Sequence, residues 1–448
     1  MIPAINASKI YSILGNNESL VPLAIKDIAN SFGLTTGSYI TGDTLEGKDR
    51  FIDEFGTQAI WLFGIPVYKK LLDVALFKPL GYDASIDARI LNNPKILKKA
   101  QEFAPSKLIE KNIKKVAQNQ KLYKGLTIGK FALSTLLTMG TYFGLTKFRH
   151  KYTEEQIKKD YFAKNTSPKN DLDFNSTVPF SSAFSDVHKP KQPSFTGGLQ
   201  EFMFNPVKNL MIVDATISGE RFAHSRNKQD FVGYAIKEGS FWAFMYFAGQ
   251  RIQSFMEKQA EKKHNKSIDL DARVIECDDL KKAFSDKSIL KDLKDFPING
   301  SDVEIYDFIN KNPNNFVVKM SKKSDIIPTM HKSNFSKLLE KLNLKKAELI
   351  DENKIDTRKF IDIDDVKSVA KKLEKLNNQY TNSNESLDDF LNIVKSLKRK
   401  AVRRNIGSCI LALGVIAPAI MVAIRKFGNN NEEFQTKKDI EAKLASQN

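Results

Sequence analysis

Cysteine is almost absent: Cys277 and Cys409 are the only two in 448 residues, one in a polar stretch and one in an apolar stretch. Two isolated thiols exclude a disulfide framework and a thiolate zinc site. Histidine is also sparse. His150, His188, His224, His264 and His331 stand singly, without a histidine or acidic partner at metal-ligand spacing, so no metal centre and no cofactor are expected. The N-terminus has no basic stretch followed by an apolar core, which argues against a cleaved signal peptide. Catalytic signatures are missing as well: there is no nucleophile elbow and no zincin helix, and no catalytic residue is assigned.

Long apolar runs are few. A mean hydropathy of −0.36 restricts any membrane part to a few segments joined by water-facing regions. Asn405 to Ile424 is the strongest, twenty residues without a charge. At 1.5 Å per residue it matches a bilayer core of about 30 Å, and its Ile, Leu and Val residues favour insertion by roughly 3 to 5 kcal/mol. Lys398, Arg399, Lys400, Arg403, Arg404, Arg425 and Lys426 bracket it and are expected to flank a membrane.

Gly125 to Thr146 is the next candidate, with Lys130 as its only charge. Gly125, Gly129, Gly140 and Gly144 suggest a face for close helix packing in lipid. Phe55 to Tyr68 is too short to span, and Gly56, Gly64 and Pro66 are expected to break it. Gly239 to Gln250, rich in aromatic residues, fits a membrane interface or an ordinary core equally well.

The net charge of +17 is unevenly spread. Glu257 to Val394 carries 26 basic and 26 acidic side chains, so the whole excess lies elsewhere, concentrated around Lys95 to Lys130 and Lys395 to Arg404. Basic residues beside apolar helices match a membrane surface, and the balanced region argues against nucleic-acid binding.

The fold class expected is mainly α: a helical membrane protein with a helical soluble domain and a Pro/Ser-rich linker. The divisions are 1–124, with apolar segment 55–68; a membrane helix at 125–146; a polar region at 147–230 containing the linker 165–198; a possible membrane helix at 231–256; a soluble helical domain at 257–404; a membrane helix at 405–424; and a polar tail at 425–448. Phe335, Leu338, Leu339 and Leu342, and again Val366, Val369, Ala370 and Leu373, recur at helical spacing. Leu387, Phe390, Leu391 and Val394 begin a helix that would run unbroken into the last apolar segment, a rod of about forty residues.

Basic flanks before Gly125 and before Asn405 put both on the cytoplasmic side. The chain must then cross back around Gly239, leaving Thr146 to Asp230 outside and Glu257 to Arg404 inside. The alternative keeps one crossing, at the C-terminal segment.

Two motifs fail on physical grounds. Gly42 to Lys48 has the glycine and lysine spacing of a P-loop, but Asp49 stands where a hydroxyl is needed, and Asp43 and Glu46 would oppose phosphates. Asp351 to Asp356 and Asp362 to Asp365 lack the glycine and closing glutamate of an EF-hand; Asp364 and Asp365 suit a helix N-terminus. The functional expectation is an integral membrane protein with a structural or protein-interaction role, displaying 257–394 to a protein partner, with the lipid bilayer as its other partner. A transporter or channel component is the alternative, and a nucleic-acid binder a third. No nucleic acid and no small-molecule substrate are expected.

Overall fold

In the computed structural model, residues 7–15, 19–41, 44–165, 203–331, 351, 353–427 and 435–446 are described. The protein is mainly helical, with no strand among the described residues beyond one isolated bridge between Thr329 and Ile355. One helix is long and apolar enough to cross a membrane, running from Leu387 to Ile424 with a mean hydropathy of 2.4 in its richest window. The linker and the Phe335 to Leu342 pattern fall almost wholly outside the described residues.

Two bodies of different construction share the chain. The first is a domain of short helices: α4 (Pro94–Glu102), α5 (Lys107–Gln118), α9 (Ala272–Ile275), α10 (Asp278–Ser285), α11 (Ser288–Asp295), α12 (Asp302–Lys311), α13 (Phe316–Lys323) and α14 (Ile363–Thr381). Caps delimit them. Ser301 and Glu304 form a reciprocal capping box on α12, and Asp362 accepts from the amides of Asp364 and Asp365 at the start of α14. One continuous apolar core holds the domain together, including Ile113, Val274, Ile305, Val317, Val366, Leu373 and Phe390, each with no measurable exposure. It draws residues 77–126 in with 256–401, so part of the N-terminal region belongs to this core.

The second body is a bundle of long helices. They are α2 (Leu20–Thr41), α3 (44–77), α6 (Gln120–Asn165), α7 (Pro206–Ala223), α8 (228–264) and α15 (387–427); α1 (Ala7–Leu14) and α16 (Gln435–Ala445) pack at its ends. Neighbouring pairs close a ring in the order α2, α3, α6, α7, α8, α15. Three of these helices contain π turns, at Ile60–Gly64 and Asp73–Phe77 in α3, Trp242–Ala248 in α8 and Ala412–Ile416 in α15. The helix from Leu387 therefore does continue into the apolar segment, as its periodicity suggested.

Three expectations are corrected. Gly56, Gly64 and Pro66 do not break Phe55 to Tyr68. Pro66 falls just after a π turn, within the first turn of Ile65–Leu72, where its missing amide costs little. The glycines of Gly125 to Thr146 form no packing face, since a Cβ on Gly125, Gly129, Gly140 or Gly144 would meet nothing within 4 Å. Close backbone approach occurs elsewhere, between α2 and α15, where a Cβ on Gly33 would lie 2.2 Å from the Gly414 carbonyl oxygen.

The third correction concerns the crossings. Leu145 packs on Gly56, Gln58 bonds Ser31, and Gly33 abuts Gly414, so the end of Gly125 to Thr146 is level with the middle of Asn405 to Ile424. Its start is in the domain, where the Tyr123 hydroxyl donates to the carbonyls of Asp83 and Ile86, both at 2.8 Å. The two apolar segments are thus offset along the bundle and cannot share one slab of bilayer. α6 and α7 both start at the domain end, α7 just after Phe204 under Arg89, and both reach the far end, where Thr153 and Arg226 meet Asp49. The two helices therefore run in the same direction.

Candidate functional site

α3 places its charges on one side and its large apolar residues on the other. Asp49, Asp53, Glu54, Thr57 and Trp61 recur at helical spacing and are buried. Phe51, Phe63, Val67, Leu71 and Val74 on the opposite side are exposed. The charged side faces the centre of the ring, where α6, α7, α8 and the turn between the last two answer it.

Asp53, 2% exposed, meets Arg149 at 3.2 Å and Arg221 at 3.4 Å, with Arg50 at 3.8 Å and Lys237 at 3.9 Å. Asp49 meets Arg226 at 3.0 Å and accepts from the Thr153 hydroxyl at 2.6 Å. Lys237 pairs with Glu54 at 2.7 Å, Arg221 with Glu238 at 2.7 Å, and Arg226 with Asp230 at 2.7 Å. Arg149 also donates to the Tyr234 hydroxyl at 2.9 Å. Asp49, Asp53, Glu54, Asp230 and Glu238 thus face Arg50, Arg149, Arg221, Arg226 and Lys237, a network with equal numbers of each sign. Burial alone would raise the Asp53 pKa, but Arg221 and Arg149 outweigh it and hold the carboxyl well below its ordinary range.

Two more carboxyls lie at the domain-side edge of this network. Asp27 accepts from the Trp61 indole nitrogen at 3.0 Å, and Asp214 accepts from the Tyr246 hydroxyl. Neither has an ion-pair partner among the described residues. They border a cavity of about 20 Å3 with Glu54, Trp61, Arg221 and Lys237, room for one water molecule. Burial pushes Asp27 up to about 6 and Asp214 up to about 8, further than their single neutral donors pull them back.

Outward, the bundle exposes many large apolar side chains. Thirty large hydrophobic residues stand exposed among the described residues; Leu80, Leu108 and Leu290 belong to the domain, and the rest lie on the bundle helices and α1. Phe32 and Ile40 on α2, Phe63 on α3 and Val415 on α15 are each more than half exposed. The charges still exposed on the bundle helices, from 20–77, 120–150, 206–256 and 395–427, are basic: Lys48, Lys70, Lys121, Lys147, Lys228, Arg251, Lys400, Arg403, Arg404 and Lys426. Each described acid in those stretches is buried, except Asp73, which is half-buried beside Lys130.

The basic residues marked in the sequence divide accordingly. Lys400, Arg403, Arg404 and Lys426 are exposed, and Arg425 shares their helix. Lys398 is not at the surface: it is 2% exposed and donates to the Ile268 carbonyl at 2.8 Å and to Glu257 at 3.3 Å. Arg399 is held by Glu276 through two contacts of 2.6 Å. These two join α15 to the domain instead of flanking a bilayer. Gly47, singled out by the P-loop spacing, is inside α3 against the Tyr39 ring, and Asp49 is an ion-pair partner of Arg226.

The charged core itself was not foreseen from the sequence, where Lys130 was the one charge marked inside an apolar segment. The usable signal was the run of opposite charges at helical spacing within helices whose other side is apolar. No family model, curated protein or solved structure matches this chain.

Proposed function

We propose that this protein is a membrane-attached interaction protein whose bundle lies on its side in one leaflet, with its helical domain in water. One observation carries the reading. Over 20–77, 120–150, 206–256 and 395–427 the outer surface of the bundle combines exposed large apolar side chains with exposed bases, while the described acids of those stretches are buried or half-buried; beyond them, at the far end of α6, Glu154, Glu155 and Asp160 are exposed. Such a surface matches hydrocarbon and anionic headgroups together.

The side of the bundle away from lipid then faces water. α7 has no large exposed hydrophobic residue and suits that side. Opposite it in the ring is α2, whose Ile28, Phe32, Tyr39 and Ile40 are exposed beside Ile416, Ile420 and Ile424 of α15. This flank is the one assigned to lipid. Each large side chain immersed contributes about 2 kcal/mol, and each base near an anionic surface about 1 kcal/mol. The domain, with its balanced charge and covered apolar core, is then displayed for a protein partner.

Two experiments on the full chain test this. Vesicles containing anionic lipid should retain the protein, with binding weakened but not abolished by salt; a monodisperse protein that ignores such vesicles defeats the proposal. Cysteines placed at Ser225, at the far end of the bundle, and at Ser301, in the domain, should label from the same side of sealed membranes. Labelling from opposite sides would restore a spanning arrangement.

A further inference from the structure

The ten paired charges of the core cancel in sign and leave over Glu220, which reaches His224 at 3.6 Å, and Asp27 and Asp214, which have no ion-pair partner among the described residues. Asp27 and Asp214 are 8% and 7% exposed. Groups facing them come from each helix packed around the cavity. α3 contributes Trp61 and Glu54; α7 contributes Arg221; and α8 contributes Tyr246, Lys237 and Glu238. The two cations in that set are already engaged, Lys237 by Glu54 and Arg221 by Glu238 and Asp53. Lys26, next to Asp27 in sequence, turns away toward the Asn405 side-chain oxygen at 3.5 Å.

An ionised carboxyl in this position has no counter-charge of its own, and an unpaired buried charge costs several kcal/mol. Two further features single out the place. Trp61 and Tyr246, the donors to the two carboxyls, both lie in π turns, a distortion that recurs at functional sites. The cavity between them also fits a single water, which gives protons a route in and out.

We infer that Asp27 and Asp214 form a two-carboxyl proton-binding site, loaded while the bundle is closed, and that losing those protons loosens α2 from α7 and α8. The site belongs to the interior and does not depend on how the bundle meets a membrane. Because burial raises both carboxyls above their ordinary value near 4, the protonated forms favour the folded state. Their contribution is complete in acid and is lost as pH climbs through about 6 to 8.

Thermal unfolding of the full chain in mild detergent, from about pH 5 to pH 9, tests the site. The midpoint should fall with rising pH in the native protein, and Asp214→Asn should flatten that slope and raise the midpoint at the alkaline end. Asp27→Asn should do the same to a smaller extent. An unchanged slope in Asp214→Asn overturns the inference. Infrared spectra of the native protein with isotope-labelled aspartate give a test that needs no variant: a protonated aspartic acid carbonyl band near pH 6.5 that fades toward pH 9 supports the site, and its absence overturns it.

Discussion

The domain and the bundle solve the same problem in opposite ways. In the domain, apolar residues such as Leu373 and Phe390 are inside, and ion pairs such as Lys281 with Asp388 are on the surface, where both partners are more than half exposed. In the bundle a network of ion pairs is inside beside small apolar clusters such as Leu23, Leu210 and Met245, and many large apolar residues are outside. The domain therefore gains stability from burying apolar area, and its charges serve solubility. The bundle must match each internal charge, and its outer surface leaves large apolar side chains exposed.

The largest expected difference between the two follows from removing one partner of a pair. Arg221→Met leaves Asp53 and Glu238 short of a cation in the interior and should cost about 3 to 5 kcal/mol. The corresponding change in the domain, Lys367→Met, removes a loose contact of 3.8 Å to Asp302 and should cost under about 0.5 kcal/mol. Unfolding in detergent measures both. Equal costs would mean that the core charges are solvated in solution and that the contrast drawn here is false.

A smaller effect should separate the two surfaces. Phe32 on α2 and Leu290 in the domain are similarly exposed, at 60% and 52%. If the α2 flank enters lipid, Phe32→Ser should weaken binding to anionic vesicles about tenfold, the equivalent of about 1.4 kcal/mol, while Leu290→Ser leaves it unchanged. A vesicle sedimentation assay that finds the two variants alike would move the lipid-facing side away from α2.

Periodicity explains why the domain was legible and the bundle only partly so. Val366, Val369, Ala370 and Leu373 announce an amphipathic helix, and in water the apolar side has one destination, so α14 and its core follow directly. The periodicity of α3 is as clear, with Asp49, Asp53 and Thr57 opposite Phe51, Phe55 and Phe63. It does not say which side turns inward, because that depends on distant partners, Arg149 and Arg221, and on the surrounding medium. Hydropathy averaging fails for the same reason: charges that are neutralised inside the fold count against burial in any window that contains them. Lys398 misled for a related cause, since a lysine beside an apolar run resembles a membrane flank until its partners on Ile268 and Glu257 are located.

The smallest expected effect concerns acid, and it has the opposite sign to that of the carboxyl pair in the bundle. Asp83, in the domain, accepts from the Ser85 amide at 2.9 Å and its hydroxyl at 2.5 Å, and from Arg358 at 3.4 Å. Burial pushes its carboxyl up, but Ser85 and Arg358 outweigh that and hold it below the ordinary value. A lowered folded value gives stability that is present above about pH 4 and is lost as pH falls through the still lower folded value. Because Asp83 keeps some contact with solvent, Asp83→Asn should remove no more than about 1 kcal/mol, and only on that acid limb. Trp61 and Trp242, the only tryptophans, are both in the bundle, so their fluorescence follows that body alone, and amide exchange in α12 and α14 follows the domain. Lowering the pH should disturb both bodies, because Asp49, Asp53 and Asp230 of the bundle are held below their ordinary value as Asp83 is, whereas raising it should change tryptophan emission while the domain amides hold. Both probes moving together at both limits would show that the two bodies unfold as one unit, with their contrasting interiors coupled through Lys398 and Arg399 on α15.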